Sequence, residues 1–274
     1  MNEFLIAIST MEKNEQEILQ LYKTQNITSK ALFVNQCDDC VFFSKMVLSE
    51  DIDLITSNKK GLSKSRNIVL EYANSDIILI GDDDVFYVNE VQKIVIEAYR
   101  NNPKFDVICF KTNLSSLLLK DKRKLVNWLN LTSICSPQIS FKIKSIRDNN
   151  ISFNTLFGAG SNCFSSGEEN IFISNCLKKG LNVLYLPIQI IDGYNVENEC
   201  ESSWFKGYSK EYFESKGALM FELYKNMYLL MCFLMILANY RNFTENYRLL
   251  EIIRHMKAGK NKLLLIRRAN LYHE

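Results

Sequence analysis

The feature that most constrains this chain is an apolar run, Ile77 to Ile80, which leads through Gly81 into three consecutive aspartates. Such an unbroken run of β-branched and leucine residues predicts a strand buried on both faces, as in parallel sheets. Other strands are predicted at Phe4 to Ile8, Ala31 to Val34, Asp53 to Thr56, Val107 to Phe110, Gln138 to Ile143 and Asn182 to Leu186. Helix-like segments separate the early strands, so an α/β fold with a doubly wound, mostly parallel sheet is expected.

Composition narrows the class of protein. The chain has 274 residues with 47% hydrophobic residues, which is enough for a substantial core and excludes a disordered chain. The net charge of +2 gives no general attraction to nucleic acid, so no nucleic-acid partner is expected. The apolar run near the start is too short for a signal sequence, and a cytoplasmic chain with reduced cysteines is therefore expected.

The three aspartates, Asp82, Asp83 and Asp84, are the first candidate site. Ligands of doubly wound sheets bind beyond the carboxyl ends of the strands, where these carboxylates are expected. In an extended segment Asp82 and Asp84 would point the same way and Asp83 the opposite way. Hard oxygen ligands suit Mg²⁺ or Mn²⁺ held together with a diphosphate. A solvated acidic turn is the structural alternative.

A second motif precedes the aspartate strand. Residues 61–67 read Gly-Leu-Ser-Lys-Ser-Arg-Asn and open a helix that Ser63 is expected to cap. A third block, Gly-Glu-Glu-Asn at residues 167–170, opens another helix, predicted from Ser165 to Lys179. In this order the three blocks resemble the family 2 glycosyltransferases of GT-A fold, and the resemblance covers roughly residues 3 to 215.

The resemblance implies a set of donor-site residues. Asp82 and Asp84 would form the metal and diphosphate site, with Asp83 beside the donor. Arg66 would lie near the nucleotide, and Ser9 and Thr10 would line the nucleotide pocket. The family's second strand usually ends in an aspartate that reads the uracil ring. Here either Asn35 takes that place or the register shifts to Asp38.

The resemblance also implies that Glu169 is the catalytic base, with Glu168 as the substitute candidate. The family usually has an aspartate at this position. A carboxylate within hydrogen-bond reach can take the proton of a sugar hydroxyl as the new C–O bond forms. Ser166 and Glu169 also fit the S-x-x-E pattern of a capping box, so a purely structural role for Glu169 is the alternative.

Acceptor contacts are predicted from aromatic and glycine residues. Trp204, followed by the aromatic residues Tyr208, Tyr212 and Phe213, could form a stacking platform for a sugar ring. The alternative is that these aromatic side chains pack under a lid. Gly158 and Gly160 would permit a close approach of the backbone to a ligand.

The C-terminal part changes character to helix. We expect a catalytic domain at residues 1–218, with a nucleotide-sugar half at 1–110 and an acceptor half at 111–218, and a helical extension at 219–274. Met227 to Ala238 is free of charge but too short to span a membrane. Eight lysines and arginines follow from Arg241 onward. This pattern fits either in-plane association with anionic lipid or a buried helix that packs on the catalytic domain or a second copy of the chain.

Together with the motifs, the resemblance implies a metal-dependent, inverting glycosyltransferase. Its donor would be a nucleotide-diphosphate sugar, expected to be UDP-linked and to carry a hexosyl or N-acetylhexosaminyl group. Its acceptor would be a glycan or a lipid-linked sugar in the synthesis of a bacterial surface polysaccharide such as capsule or lipopolysaccharide, at the inner face of the membrane. Two alternatives stay open: a non-catalytic, membrane-associated partner in polysaccharide assembly, and a sugar nucleotidyltransferase. The stretch after the first strand, Ser9 to Glu12, lacks the glycine-rich basic loop typical of the latter.

Overall fold

A computed structural model describes residues 3–38, 43–112, 121–194 and 207–271. Within these residues nine strands form one mixed sheet in the order β3-β4-β2-β1-β5-β9-β7-β10-β8, and β6 pairs with β11 in a second small sheet. The strands are β1 Phe4–Met11, β2 Ala31–Gln36, β3 Phe43–Ser49, β4 Ile52–Ser57, β5 Ile77–Asp82, β6 Val85–Tyr87, β7 Val107–Lys111, β8 Lys124–Leu125, β9 Ile139–Lys142, β10 Val183–Gln189 and β11 Ile191–Tyr194.

Parallel pairing brings the carboxyl ends of β1, β2, β4 and β5 to the same edge of the sheet. β1 pairs in parallel with β2 and β5, and β2 pairs in parallel with β4. In these registers Ser9 lies opposite Asp82, and Thr10 lies opposite Asn35. β9 is inserted antiparallel between β5 and β7. The mixed, mostly parallel α/β sheet predicted from the sequence is confirmed.

Helices cover both faces of the sheet. They are α1 Glu15–Thr24, α2 Leu62–Tyr72, α3 Val91–Asn101, α4 Ile143–Asp148, α5 Glu168–Lys178, α6 Lys210–Tyr224, α7 Tyr228–Ala238, α8 Tyr240–Thr244 and α9 Leu249–Leu271. One core layer packs α1 and α3 against the sheet, and the other packs α2, α4, α5 and the C-terminal helices. Amphipathic spacing explains α1, where Ile18 is fully buried and a capping box between Asn14 and Glu17 fixes the first turn.

Two expectations about local structure are wrong. Ser63 does not cap α2, because the cap residue is Gly61, whose φ of +121° is accessible to glycine, and no side chain bonds the first-turn amides. Cys37 is disulfide-bonded rather than reduced. The expected domain boundary at position 218 lies inside α6, and the division into domains stays a prediction.

The C-terminal helices α6 and α9 contact each other backbone to backbone. A Cβ added at Gly217 of α6 would overlap the Met256 carbonyl oxygen of α9, and one at Gly259 would overlap the carbonyl of Glu214. The two helices therefore cross at distances that only glycine allows. Among the residues that the structure describes, one helical stretch, Lys210–Ala238, is long and apolar enough to cross a membrane by length and composition alone, and 39% of its most apolar window is buried in protein.

Candidate active site

The residues of the Gly61–Asn67 motif connect several elements through hydrogen bonds. The Gly61 amide donates to Gln36 Oε1 at 2.6 Å, and the Ser65 hydroxyl donates to Ser9 Oγ at 2.7 Å. The Ser63 hydroxyl donates to the Phe157 carbonyl at 2.7 Å. The first turn of α2 therefore ties the ends of β1 and β2 to the loop that leads to α5.

Arg66 lies at the centre of this arrangement. Its side chain is 1% exposed, and its Nη1 donates to Glu168 Oε1 at 2.9 Å while its Nη2 donates to Asp82 Oδ1 at 3.1 Å. Ser136 completes the group, since its hydroxyl accepts from Arg66 Nη2 and donates to Asp82 Oδ1 at 3.2 Å. The guanidinium also lies 5.6 Å from the centre of the Phe153 ring. One buried cation thus joins the aspartate block and the glutamate block.

The carboxylate cluster differs from the extended segment that the sequence predicted. β5 ends at Asp82, and Asp83 and Asp84 form the turn into β6. The Thr10 hydroxyl donates to Asp83 Oδ2 at 2.7 Å. Burial, together with the charges of Asp82 and Asp83, raises the pKa of Asp84 to about 6. Burial is also the main cause of the raised pKa of Asp83.

These carboxylates fit a divalent cation that is shared with a ligand. Within the described residues no group of three or more His, Cys, Asp and Glu side chains could hold a metal ion unaided. Mg²⁺ and Mn²⁺ sites of phosphate-transfer enzymes commonly use one or two carboxylates, and substrate phosphates and water supply the other ligands. Burial is the largest cause of the raised pKa of Asp84, and the negative charges of Asp82 and Asp83 add to it. A cation between Asp82, Asp84 and a diphosphate would offset that charge.

The glutamate pair opens α5, and the two side chains differ in environment. Gly167 at φ +103° precedes α5, and no side chain caps this helix, so the capping-box alternative for Ser166 and Glu169 is wrong. Glu168 is buried and receives the Arg66 bond. Burial, together with the charge of Glu168, raises the pKa of the half-buried Glu169 to about 8. Glu168 is therefore a partner of Arg66, whereas Glu169 is the carboxyl that is poised to change its protonation state near neutral pH.

The glycines predicted to approach an acceptor have structural roles here. Gly158 has φ +107°, and a Cβ there would lie 3.0 Å from Cδ of Glu168 and 3.2 Å from the Ser63 hydroxyl. Gly160 has φ +73°, and its Cβ would lie 3.2 Å from the Cα of Gly61. Both therefore leave room for the motif residues, and their acceptor role stays a prediction.

Asn35 holds the loop after β1. Its Oδ1 accepts from the Lys13 amide at 3.1 Å, and its Nδ2 donates to the Lys13 carbonyl at 2.7 Å. Asp38, the other candidate for contact with the base, accepts from Lys60 Nζ at 2.5 Å. Asn35 lies opposite Thr10 of β1, and the Asp38 amide donates to Glu12, directly after β1. Their role in a nucleotide pocket stays a prediction.

Trp204 lies outside the described residues, whereas the aromatic residues that follow it pack on one another. Phe213 is fully buried, and its ring centre lies 5.5 Å from that of Tyr212 and 5.2 Å from that of Phe243. Tyr208 contacts Tyr212 at 5.3 Å. The packing alternative therefore describes these three residues.

Two residues near the site had no sequence signal. Ser136 lies in a short 3-10 turn at Ser136–Gln138, and the sequence around it carries no motif. Lys216 lies on α6, and its pKa is lowered by burial and raised in part by the nearby charges of Glu169 and Glu168. Such a contact across 47 positions cannot be read from local periodicity.

Comparison with known proteins finds a family match over part of the chain. Residues 35–166 match the sequence model of the family described as "Glycosyl transferase family 2". The matched region contains Arg66 and all three aspartates and ends just before the glutamate pair. Residues 35–166, just under half of the chain, thus match a glycosyl transferase family 2 domain, which is the domain of a sugar-transferring enzyme. A search of curated proteins finds no match.

Solved structures show the same fold. TarS of S. aureus, residues 1–349, is 14% identical with a TM-score of 0.59, and the match covers 99% of this chain and 92% of that chain. The same protein in complex with UDP-GlcNAc matches at 15% identity and a TM-score of 0.59, covering 95% and 81%. The mannosyltransferase PcManGT from Pyrobaculum calidifontis, in complex with GDP-Man and Mn²⁺, matches at 11% identity and a TM-score of 0.54, covering 100% and 81%. The predicted GT-A fold with C-terminal helices is confirmed.

Proposed function

We propose that the chain is a metal-dependent, inverting glycosyltransferase that uses a nucleotide-diphosphate sugar. The observation that carries this proposal is the Arg66 guanidinium, which bonds Asp82 at 3.1 Å and Glu168 at 2.9 Å. It brings the candidate metal site and the candidate base segment to one place, as a transfer between a diphosphate donor and a hydroxyl acceptor requires.

Asp82 and Asp84 would hold Mn²⁺ or Mg²⁺ against the diphosphate. When bound, the cation supplies charge neutralisation for the departing nucleoside diphosphate. Ser9, Thr10 and either Asn35 or Asp38 would line the nucleotide pocket. The buried Arg66 keeps Asp82 in place rather than contacting the nucleotide through an exposed face, so its donor role is indirect.

Glu169 would remove the proton from the acceptor hydroxyl. Arg66 pairs with Glu168 and leaves Glu169 as the second carboxyl of the segment. The pKa of about 8 places Glu169 close to the range where a base both accepts a proton readily and is partly ionised. Attack from the face opposite the diphosphate in a single displacement would invert the anomeric carbon.

The donor is proposed to be UDP-linked and to carry a hexosyl or N-acetylhexosaminyl group. The complexes of similar folds with UDP-GlcNAc and GDP-Man support a nucleotide sugar. The acceptor is proposed to be a glycan or lipid-linked sugar of a bacterial surface polysaccharide, assembled on the cytoplasmic side of the membrane.

A peripheral contact with anionic lipid is proposed for the C-terminal helices. α7 buries Tyr228, Cys232 and Ile236 on one side, while the apolar side chains on its other side are exposed: Leu229, Leu230, Phe233, Leu234 and Leu237. The basic residues of α8 and α9 would add electrostatic attraction. Vesicles that contain phosphatidylglycerol should co-sediment with the protein, and binding should weaken as salt increases. Wild-type protein that ignores these vesicles would favour a protein partner or a second copy.

The test of the enzymatic proposal is a panel of UDP- and GDP-sugars with Mn²⁺ or EDTA, scored by thermal shift and release of nucleoside diphosphate. Asp84→Ala should keep the fold and abolish turnover, and EDTA should do the same to wild type. Glu169→Gln should keep donor binding while the rate falls by about 10²-fold or more, the scale of general-base catalysis. Full activity of Asp84→Ala, or of wild type in EDTA, would contradict the metal assignment. Near-normal transfer by Glu169→Gln would move the base role to Glu168.

A further inference from the structure

α6 of the C-terminal region contacts the loop directly before the glutamate pair. The Ser165 amide donates to Ser215 Oγ at 3.1 Å, and Lys216 Nζ donates to Ser166 Oγ at 3.3 Å. Two successive residues of α6 therefore bond two successive residues of the loop. This arrangement fixes Lys216 next to the start of α5.

Gly167 and Leu219 extend the contact between α6 and the loop before α5. A Cβ at Gly167 would lie 2.7 Å from Cδ2 of Leu219, and the φ of +103° at Gly167 already favours glycine. Since Leu219 lies one helical turn after Ser215, the same side of α6 contacts the whole loop. The close crossing of α6 with α9 at Gly217 braces this helix from behind.

Lys216 is surrounded by an aromatic ring and by several titratable groups. The half-buried ammonium is 5.3 Å from the centre of the Tyr212 ring, and both Glu168 and Glu169 attract it. Within the part of the chain that the structure describes, four titratable groups act on Glu169: Glu168 on α5, Arg66 on α2, Lys216 on α6, and Cys135, which directly precedes the turn at Ser136–Gln138. Burial raises the pKa of the Cys135 thiol to about 12, which keeps that group neutral.

The two cations near the glutamate pair, Arg66 and Lys216, have different partners. The guanidinium of Arg66 bonds Glu168 and Asp82, so its positive charge is shared between two carboxylates. Lys216 is then the second cation among the groups that face the glutamate pair. Among the described residues whose charges act on Glu169, loss of Lys216 would leave the shared charge of Arg66 to oppose that of Glu168.

We propose that Lys216 is a positioning residue of the transfer reaction, which anchors the loop directly before Glu169 through Ser166 and places a positive charge beside the glutamate pair. This inference rests on the proposed role of Glu169 as the base. It makes the C-terminal helices a part of the active site, since α6 supplies the ammonium and α9 fixes α6. The lysine acts through Glu169 and needs no contact with the reacting atoms.

The test compares Lys216→Met, which removes the charge at similar length, with Lys216→Arg, which keeps it. Lys210→Met is the matched control on the same helix, because Lys210 is exposed and lies 3.7 Å from Glu214. Carboxyl titrations are followed by NMR of protein labelled with ¹³C-glutamate, and Glu169→Gln assigns the resonance. Loss of one nearby positive charge should raise the apparent pKa of the Glu168–Glu169 pair by about 1 or more. Lys216→Arg should restore most of the wild-type titration, and Lys210→Met should leave it unchanged.

A folded Lys216→Met protein, judged by its melting temperature, whose glutamate pair titrates as in wild type would overturn the proposal. If Lys216→Met does not fold, Lys216→Gln is titrated in its place with the same expectation. The titration needs no sugar donor, so its result does not depend on whether the proposed enzymatic function is correct. The proposed function fails if Glu169→Gln retains turnover with UDP-GlcNAc and Mn²⁺ while wild type is active, whatever the titration shows. When both hold, the rise of the rate with pH should begin at higher pH in Lys216→Met.

Discussion

Replacing Arg66 by methionine should strongly destabilise the fold. Arg66 and Glu168 have side chains that are 1% and 6% exposed, so the substitution leaves a buried carboxylate without its cation. Removing one partner of a buried ion pair costs about 3–5 kcal/mol. Asp82, whose side chain is 29% exposed, adds less because solvent screens its charge. At about 2 °C for each kcal/mol in a chain of this size, the melting temperature should fall by roughly 6–10 °C.

The assay is urea denaturation followed by circular dichroism, with Arg254→Met as the control, because Arg254 is an exposed arginine of α9. A surface substitution of this kind should change the free energy of unfolding by about 0.5 kcal/mol or less. The double variant Arg66→Met/Glu168→Gln separates charge from packing. If the cost arises from the unpaired carboxylate, neutralising Glu168 should recover about half or more of it. A loss below about 1 kcal/mol in Arg66→Met, or strictly additive effects in the double variant, would refute the reasoning.

Three further predictions follow from the structure. The transfer rate should rise about tenfold per pH unit below the Glu169 pKa of about 8, because only the ionised carboxylate accepts a proton, and a rate that is flat from pH 6 to 9 would contradict this. Gly217→Ala should lower the free energy of unfolding by about 1–3 kcal/mol in urea titration, since its methyl group would overlap the Met256 carbonyl, whereas Gly193→Ala, with open space around it, should be nearly neutral. Phe233→Glu on the exposed side of α7 should reduce co-sedimentation with phosphatidylglycerol vesicles and leave the melting temperature unchanged.

The central strands could be predicted because burial on both faces leaves a continuous apolar run. Ile77–Asp82 and Ala31–Gln36 were recognisable for this reason, and their polar ends mark the site edge. The edge strand Phe43–Ser49 was missed because it exposes most of its side chains and carries no such run. Lys124–Leu125 was missed because a strand of two residues has no periodicity.

The site could be predicted as a list of residues but not as a set of contacts. The motif around Arg66 and the aspartates was visible, yet its partners depend on pairing across long separations, such as the 102 positions between Arg66 and Glu168. The expectation for Asp83 and Asp84 failed because an extended segment was assumed where the chain turns. The pattern Ser166 to Glu169 matched a capping box, but the left-handed Gly167 at the start of α5 replaces that cap.

The C-terminal helices look in sequence like an appendage, and the structure gives them a closer relation to the site. Position 218 lies within α6, between Lys216, which bonds the loop before the glutamates, and Leu219, which packs on Gly167. A chain cut there would lose the contact between Leu219 and Gly167, and it would lose all of α9, which packs against α6. We therefore expect a protein that ends at residue 218 to lose donor turnover together with its cooperative unfolding, whereas an independent appendage would leave both unchanged. Turnover and melting temperature of residues 1–218 against the full chain decide between the two.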